Sequence, residues 1–178
     1  MFRKLSTHQL NRLTFYQYKH PVSLVLDNVR SMHNVGSIFR SADCFGVEHI
    51  HLCGITGTPP HREIHKTALG AENTVPWSYA QSSVEVCIWL KSQGYKLIAV
   101  EQTENSTHLG QFKIESGMKY AIVLGNEVDG VDQEVLNLCD VALEIPQFGT
   151  KHSFNVSVCA GIVLWDLLIG GNEAIKDL

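Results

Sequence analysis

From residue 21 onward, short β-branched runs alternate with stretches whose apolar residues recur every three to four positions. VSLVLD (22–27) is a near-continuous apolar run of strand length, as expected for a strand covered on both faces. NVGSIFRSADCFG then sets Val35, Ile38, Phe39, Ala42 and Phe45 on one helical face, with Gly46 as the stop. VEHIHLC (47–53) predicts the next strand, with Val47, Ile50 and Leu52 pointing inward. The stretch from Gly54 to Trp77 is irregular and rich in Gly, Pro and Thr, which predicts a functional loop region holding a short helix. SSVEVCIWLKSQG predicts a helix capped by Ser82 or Ser83 and stopped by Gly94. YKLIAVE (95–101), KYAIVLG (119–125) and VALEIP (141–146) predict strands, with a helix around QEVLNLC between the last two. A closing helix is predicted from about Ser153 to Ile169, ended by Gly170 and Gly171. This alternation predicts an α/β fold: a mainly parallel sheet with helices on both faces.

At 178 residues the chain suits one well-buried core with small extensions. The opening MFRKLSTHQL lacks the apolar stretch of a signal peptide, and no uninterrupted apolar span of ~20 residues follows, so a soluble, cytoplasmic protein is expected. Five cysteines (Cys44, Cys53, Cys87, Cys139, Cys159), widely spaced and without a C-x-x-C pair, read as reduced core residues. Net charge is −4, yet residues 1–20 carry Arg3, Lys4, Arg12 and Lys19 and no acid. Phe2, Phe15, Tyr16 and Tyr18 lie among these cations, a mixture suited to phosphate attraction and base stacking, or to an amphipathic helix packed on the core. We therefore divide the chain into a basic, aromatic extension at 1–20 and one folded domain at 21–178.

Parallel sheets bind ligands at the carboxyl ends of their strands, and three loops there are polar and contain glycine. After the first strand come Asn28, Asn34, Gly36 and Arg40; a guanidinium beside a helix start suits an anion, although a polar-face arginine can equally be simply solvated. LGNEVDGVD brings Gly125, Glu127, Asp129 and Gly130, either an acidic surface turn or a glycine turn whose backbone can recognise an adenine ring. IPQFGTKHSFNVS carries Ser153 and Asn155. Neither G-x-G-x-x-G nor G-x-x-x-x-G-K-[ST] occurs, so dinucleotide and P-loop readings lack support. Nine histidines include His49 and His51 on one strand face, but HREIH is not H-E-x-x-H, and no metal site is predicted. Ser153 lies in no G-x-S-x-G elbow, so a nucleophilic serine is not indicated.

Three ordered segments, NVGSIFR (34–40), VLGNEVDGV (123–131) and IPQFGTKHSFNVSV (145–158), resemble the three signature motifs of the SpoU (TrmH-like) family of RNA ribose 2′-O-methyltransferases, in the SPOUT superfamily. The likeness runs over residues 21–169 and includes KTALGAENTVPW. It implies an α/β-knot fold whose C-terminal part forms a deep trefoil knot, S-adenosylmethionine as methyl donor, and a homodimer whose active site joins both subunits. Asn34 and Arg40 match the first motif's asparagine and arginine, Glu127 the second motif's glutamate, and Ser153 and Asn155 the third motif's serine and asparagine. These five are the implied catalytic residues. Val100, Gly125, Ile145, Ser153 and Phe154 match positions that line the adenosyl pocket. Phe154 stands where the family commonly has leucine or methionine, and Gln147 where it has methionine, changes that bear on pocket shape but leave backbone contacts available.

The resemblance implies transfer of a methyl group to a ribose 2′-OH of structured RNA, tRNA ahead of rRNA. A guanidinium with a pKa above ~12 is a poor base, so Arg40 is better read as clamping a neighbouring phosphate and stabilising negative charge on oxygen. Two other classes compete. A non-catalytic RNA-binding dimer of the same fold would be expected to lose Arg40, Ser153 or Asn155, all of which are present. A small-molecule nucleotide enzyme lacks its phosphate fingerprints.

Overall fold

The computed structural model describes Lys4, residues 19–151 and residues 153–170. The basic extension expected at 1–20 therefore lies outside the described residues apart from Lys4, Lys19 and His20, as does Gly171 at the expected end of the last helix.

Seven strands, β1 (His20–Asp27), β2 (Val47–Cys53), β3 (Trp77–Ala80), β4 (Tyr95–Val100), β5 (Thr107–His108), β6 (Lys119–Leu124) and β7 (Val141–Glu144), form one sheet in the order β3-β2-β1-β6-β4-β7-β5. Every pairing is parallel. Five helices connect or follow them: α1 (Met32–Cys44), α2 (Arg62–Ala68), α3 (Ser83–Ser92), α4 (Gln133–Leu138) and α5 (Val156–Trp165). Alternation along β1 shows how both faces are covered. Leu24 and Leu26 pack with Ile38 and Phe39 of α1, Ile64 of α2, and Val163 and Leu164 of α5. Val25, on the opposite face, packs with Cys87 and Leu90 of α3 and Val135 of α4. All of these side chains are buried, and each contributes about 1.5–3 kcal/mol of transfer free energy for the larger apolar types.

Helix α1 lies against α2 so closely that a Cβ on Gly36 would stand 2.1 Å from Thr67 Oγ1 and 2.3 Å from the Ile64 carbonyl oxygen. Glycine is what permits this approach, which fixes how α1 presents Asn34.

Several boundaries differ from the sequence reading. Helix α1 begins two residues early, at Met32, because the Ser31 side chain accepts from the Asn34 backbone N–H and caps it. Helix α5 begins at Val156, with Asn155 as cap, so Ser153 precedes the helix; its end passes into a π-helical turn, Asp166–Gly170. Strand β3 starts at Trp77, the last residue of the stretch expected to be a loop, and neither β3 nor β5 was foreseen; each lies on a sheet edge and is too short to show alternation. The Gly54–Trp77 region does hold a short helix, α2, followed by a 3₁₀ turn at Ala71–Asn73. Cys44 is exposed rather than in the core, because the last residue of α1 has turned out of the helix interface; Cys53 and Cys87 are buried. Burial pushes the Cys53 and Cys87 thiols up to about 12, which keeps them protonated and unreactive. Among the described residues no helix is long and apolar enough to cross a membrane.

Candidate active site

A cavity of about 650 Å³ opens at the carboxyl ends of β4, β6 and β7, the place where a parallel sheet offers its loops to a ligand. Val100, Gly125, Ile145, Ser153 and Phe154 all line it, and so do Glu127 and Asn155. Two glycines line its floor and let the backbone stretches there pack closely. A Cβ on Gly125 would stand 2.2 Å from the Gly130 carbonyl carbon, and one on Gly130 would stand 2.2 Å from Glu101 Oε2. Gly130 also has φ +73°, the left-handed region that favours glycine. Asn126 and Gly130 exchange backbone hydrogen bonds at 2.9 and 3.0 Å, closing the loop that carries Glu127.

Three of the expected catalytic residues join in one chain of hydrogen bonds. Asn155 Nδ2 donates to Asn34 Oδ1 at 3.0 Å, and Asn34 Nδ2 donates to Glu127 Oε1 at 2.8 Å. Glu127 also accepts from the backbone N–H groups of Arg30 at 2.9 Å and Ser31 at 3.0 Å, at the start of α1. Desolvation works to raise the Glu127 pKa, but these donors outweigh it and hold the carboxyl below its ordinary range, so it stays ionised at neutral pH. At the other end, Asn155 Oδ1 accepts from the Ser157 N–H at 2.9 Å and the Val158 N–H at 3.4 Å, capping α5, and from Ser157 Oγ at 2.6 Å. Ser157 is thus part of the cap.

Arg40 is not brought to this chain. It lies exposed on α1 and does not line the cavity, six residues and about 9 Å along the helix axis from Asn34. Ser153 is exposed at the cavity wall.

Two residues of the site were not singled out in the sequence. Glu101, the residue after β4, accepts from the Val131 N–H at 3.0 Å and the Gln102 N–H at 2.8 Å, tying the glycine turn to the sheet. Its position at the carboxyl end of a predicted parallel strand was the available signal. Asn126 donates through Nδ2 to the Asn28 carbonyl at 2.9 Å and accepts from the Val128 N–H at 2.8 Å; it lay inside a motif but its side chain drew no role. His49 and His51 do share a face, both bonded to Ser78 Oγ on β3, far along the sheet from the cavity strands. Among the described residues no group of three or more His, Cys, Asp or Glu could hold a metal ion.

The chain is similar to known proteins in sequence and in fold. A 23S rRNA (guanosine-2′-O-)-methyltransferase RlmB of Neisseria meningitidis is 33% identical over 144 residues, covering 81% of this chain and 56% of that protein. The chain spans less than two thirds of the length of such curated relatives. Among solved structures, the AdoMet-bound rRNA methyltransferase of Sinorhizobium meliloti superposes with a TM-score of 0.77 at 26% identity, over 85% of this chain and 57% of that one. The TrmH/SpoU tRNA modifying enzyme of A. aeolicus shares the fold at a TM-score of 0.75 and 24% identity, over 84% of this chain and 75% of its own. The family model of the SpoU rRNA Methylase family matches residues 21–165, which span β1 to the end of α5 and contain the whole cavity, and the chain belongs to that family.

Proposed function

We propose that this protein transfers a methyl group from S-adenosylmethionine to a ribose 2′-OH of structured RNA, with residues 21–178 as the catalytic domain. The observation that carries the reading is the convergence of Asn34, Glu127 and Asn155 in one hydrogen-bonded chain at the wall of a glycine-floored cavity. The residues fit the cofactor: the turn at Gly125 and Gly130 brings bare backbone to the cavity wall, and Val100, Ile145 and Phe154 supply apolar surface for a purine. When bound, the cofactor supplies an electrophilic methyl group on a sulfonium. The chain's own task is to align the 2′-oxygen and stabilise it as its proton leaves. Glu127 stays ionised and orients Asn34, and Ser153 and Asn155 stand at the cavity wall where the ribose enters.

Arg40 lies outside its own chain's cavity, which supports a site completed by a second subunit. In that homodimer Arg40 of one protomer clamps an RNA phosphate beside the other protomer's cavity and stabilises charge on the oxygen. Helix α5 supports the same assembly: Val158 and Trp165 are exposed on it, and Phe154 just before it. The trefoil knot is proposed on related grounds, since the chain leaves β7, passes the β6 loop at Ser153–Asn155, and returns to pack α5 on α1. Residues 1–20 add RNA affinity through their cations and aromatics.

Relatives' names include both rRNA and tRNA enzymes. Mass-spectrometric mapping of 2′-O-methyl sites in tRNA and rRNA from cells with and without the gene tests the function. Loss of one ribose methylation on gene deletion is the expected result; an unchanged map in both RNA classes, with no transfer in vitro, would favour the non-catalytic RNA-binding reading.

A further inference from the structure

The walls of the cavity carry Glu101, Glu127, Asp129 and Glu144, and no lysine, arginine or histidine among the described lining residues. Their compensation is uneven. Asp129 meets Arg30 at 3.8 Å at an exposed rim, and Glu144 meets His108 at 2.6 Å. Among the described residues, Glu101 and Glu127, in contrast, accept hydrogen bonds only from neutral donors: backbone N–H groups, and for Glu127 the Asn34 amide. Those donors satisfy the oxygens without cancelling the charge. A cavity so built carries a negative potential into a space partly withdrawn from water.

We propose that the cavity sorts nucleoside ligands by charge, holding the cationic methyl donor more tightly than the uncharged thioether product, with Glu101 as a specificity-determining residue. The inference rests on the cofactor reading above. Methyl transfer breaks the sulfur–carbon bond, forms an oxygen–carbon bond and releases the hydroxyl proton, and it leaves sulfur neutral. The ligand's net charge falls from +1 to zero while the cavity's carboxylates are unchanged. One unit of charge within ~7–10 Å of an uncompensated carboxylate is worth roughly twofold to fiftyfold in affinity at effective dielectric constants between about 80 and 20. The product is thereby loosened by the reaction itself, and product inhibition is weak.

Isothermal titration calorimetry on the full chain tests this with S-adenosylmethionine, S-adenosylhomocysteine and sinefungin, in which a protonated amine replaces the sulfonium. The donor and sinefungin should each bind at least about twofold more tightly than the homocysteine form at low salt, with the gap narrowing toward unity at ~1 M salt. Glu101→Gln should shrink the same ratio, and Glu101→Asp, which disturbs the same loop contacts but keeps the charge, should preserve it. Equal affinities for charged and uncharged ligands, a ratio indifferent to salt and to Glu101→Gln, or an equal loss of the ratio in both variants would overturn the charge-sorting proposal while leaving the cofactor reading intact. Failure of all three ligands to bind would overturn both.

Discussion

Asn155 performs two tasks with the two ends of one amide, and substitution can separate them. Asn155→Ala removes the Oδ1 that accepts from Ser157 N at 2.9 Å and Val158 N at 3.4 Å, and the Nδ2 that donates to Asn34 at 3.0 Å. Loss of a helix cap costs about 1 kcal/mol and loss of a part-buried hydrogen bond about 0.5–1.5 kcal/mol, so the alanine variant should lose about 2 kcal/mol. Asn155→Asp keeps the cap and adds a charge favoured at a helix start by about 0.3–1 kcal/mol. It has nothing to donate to Asn34 Oδ1, however, and the Asn34 amide cannot turn to meet it because its Nδ2 is committed to Glu127. The aspartate variant should therefore lose about 1 kcal/mol or less, with the site chain broken. Urea unfolding at fixed protein concentration measures both, and each kcal/mol corresponds to a shift of about 2–4 °C in Tm for a chain of this size. Asn34→Ala should cost about 0.5–1.5 kcal/mol less in either variant background than in the native one, the signature of a coupled pair. If alanine and aspartate were equally damaging and Asn34→Ala cost the same in all three backgrounds, neither the cap nor the link would be as described.

Other expectations follow from single features. Gly125→Ala sets a Cβ 2.2 Å from the Gly130 carbonyl carbon, so the loop must shift, and cofactor affinity measured by calorimetry should fall at least about tenfold while the sheet core remains folded. Arg40→Lys should lower turnover at least about tenfold with RNA and cofactor affinity nearly unchanged; near-native turnover would refute a planar phosphate clamp. Burial, helped by the neighbouring His49, pushes His51 down to about 4 from its ordinary 6.5. Because the unfolded imidazole then takes up a proton that the folded one refuses, stability should fall as pH drops from about 6.5 toward about 4, and His51→Gln should flatten that slope in urea titrations across the range. Deleting residues 1–18 should weaken RNA binding and reduce its salt dependence in filter-binding assays; no change in either would assign the segment to packing.

The pattern of apolar residues revealed the parallel sheet because β1, β4 and β6 are buried on both faces and read as continuous runs. It missed β3 and β5, where four residues, WSYA, and two, Thr107 and His108, hold a place through edge pairing but are too few for a period to show. It set the start of α5 at Ser153, since a serine before an apolar run resembles a cap, but the cap is the asparagine two residues on. At the site, motif resemblance supplied the names of Asn34, Glu127 and Asn155, but their meeting depends on contacts spanning 93 and 121 positions along the chain, which no local period encodes. Glu101 escaped notice because its importance lies in the Val131 N–H it accepts from, a neighbour 30 residues distant whose proximity only the fold creates.

The hydrogen-bonded chain through the site has a fixed sense. At one end the first N–H groups of α5 can only donate, which forces the Asn155 oxygen toward the helix and its NH₂ outward; at the other, an ionised Glu127 can only accept, which forces the Asn34 NH₂ toward it. With both ends committed, neither amide can be flipped without leaving two acceptors or two donors face to face. Every N–H along the path is aimed toward the same carboxylate, so the site resists reorientation as one unit, and a proton placed on Glu127 would be felt at the first turn of α5 without either helix having moved.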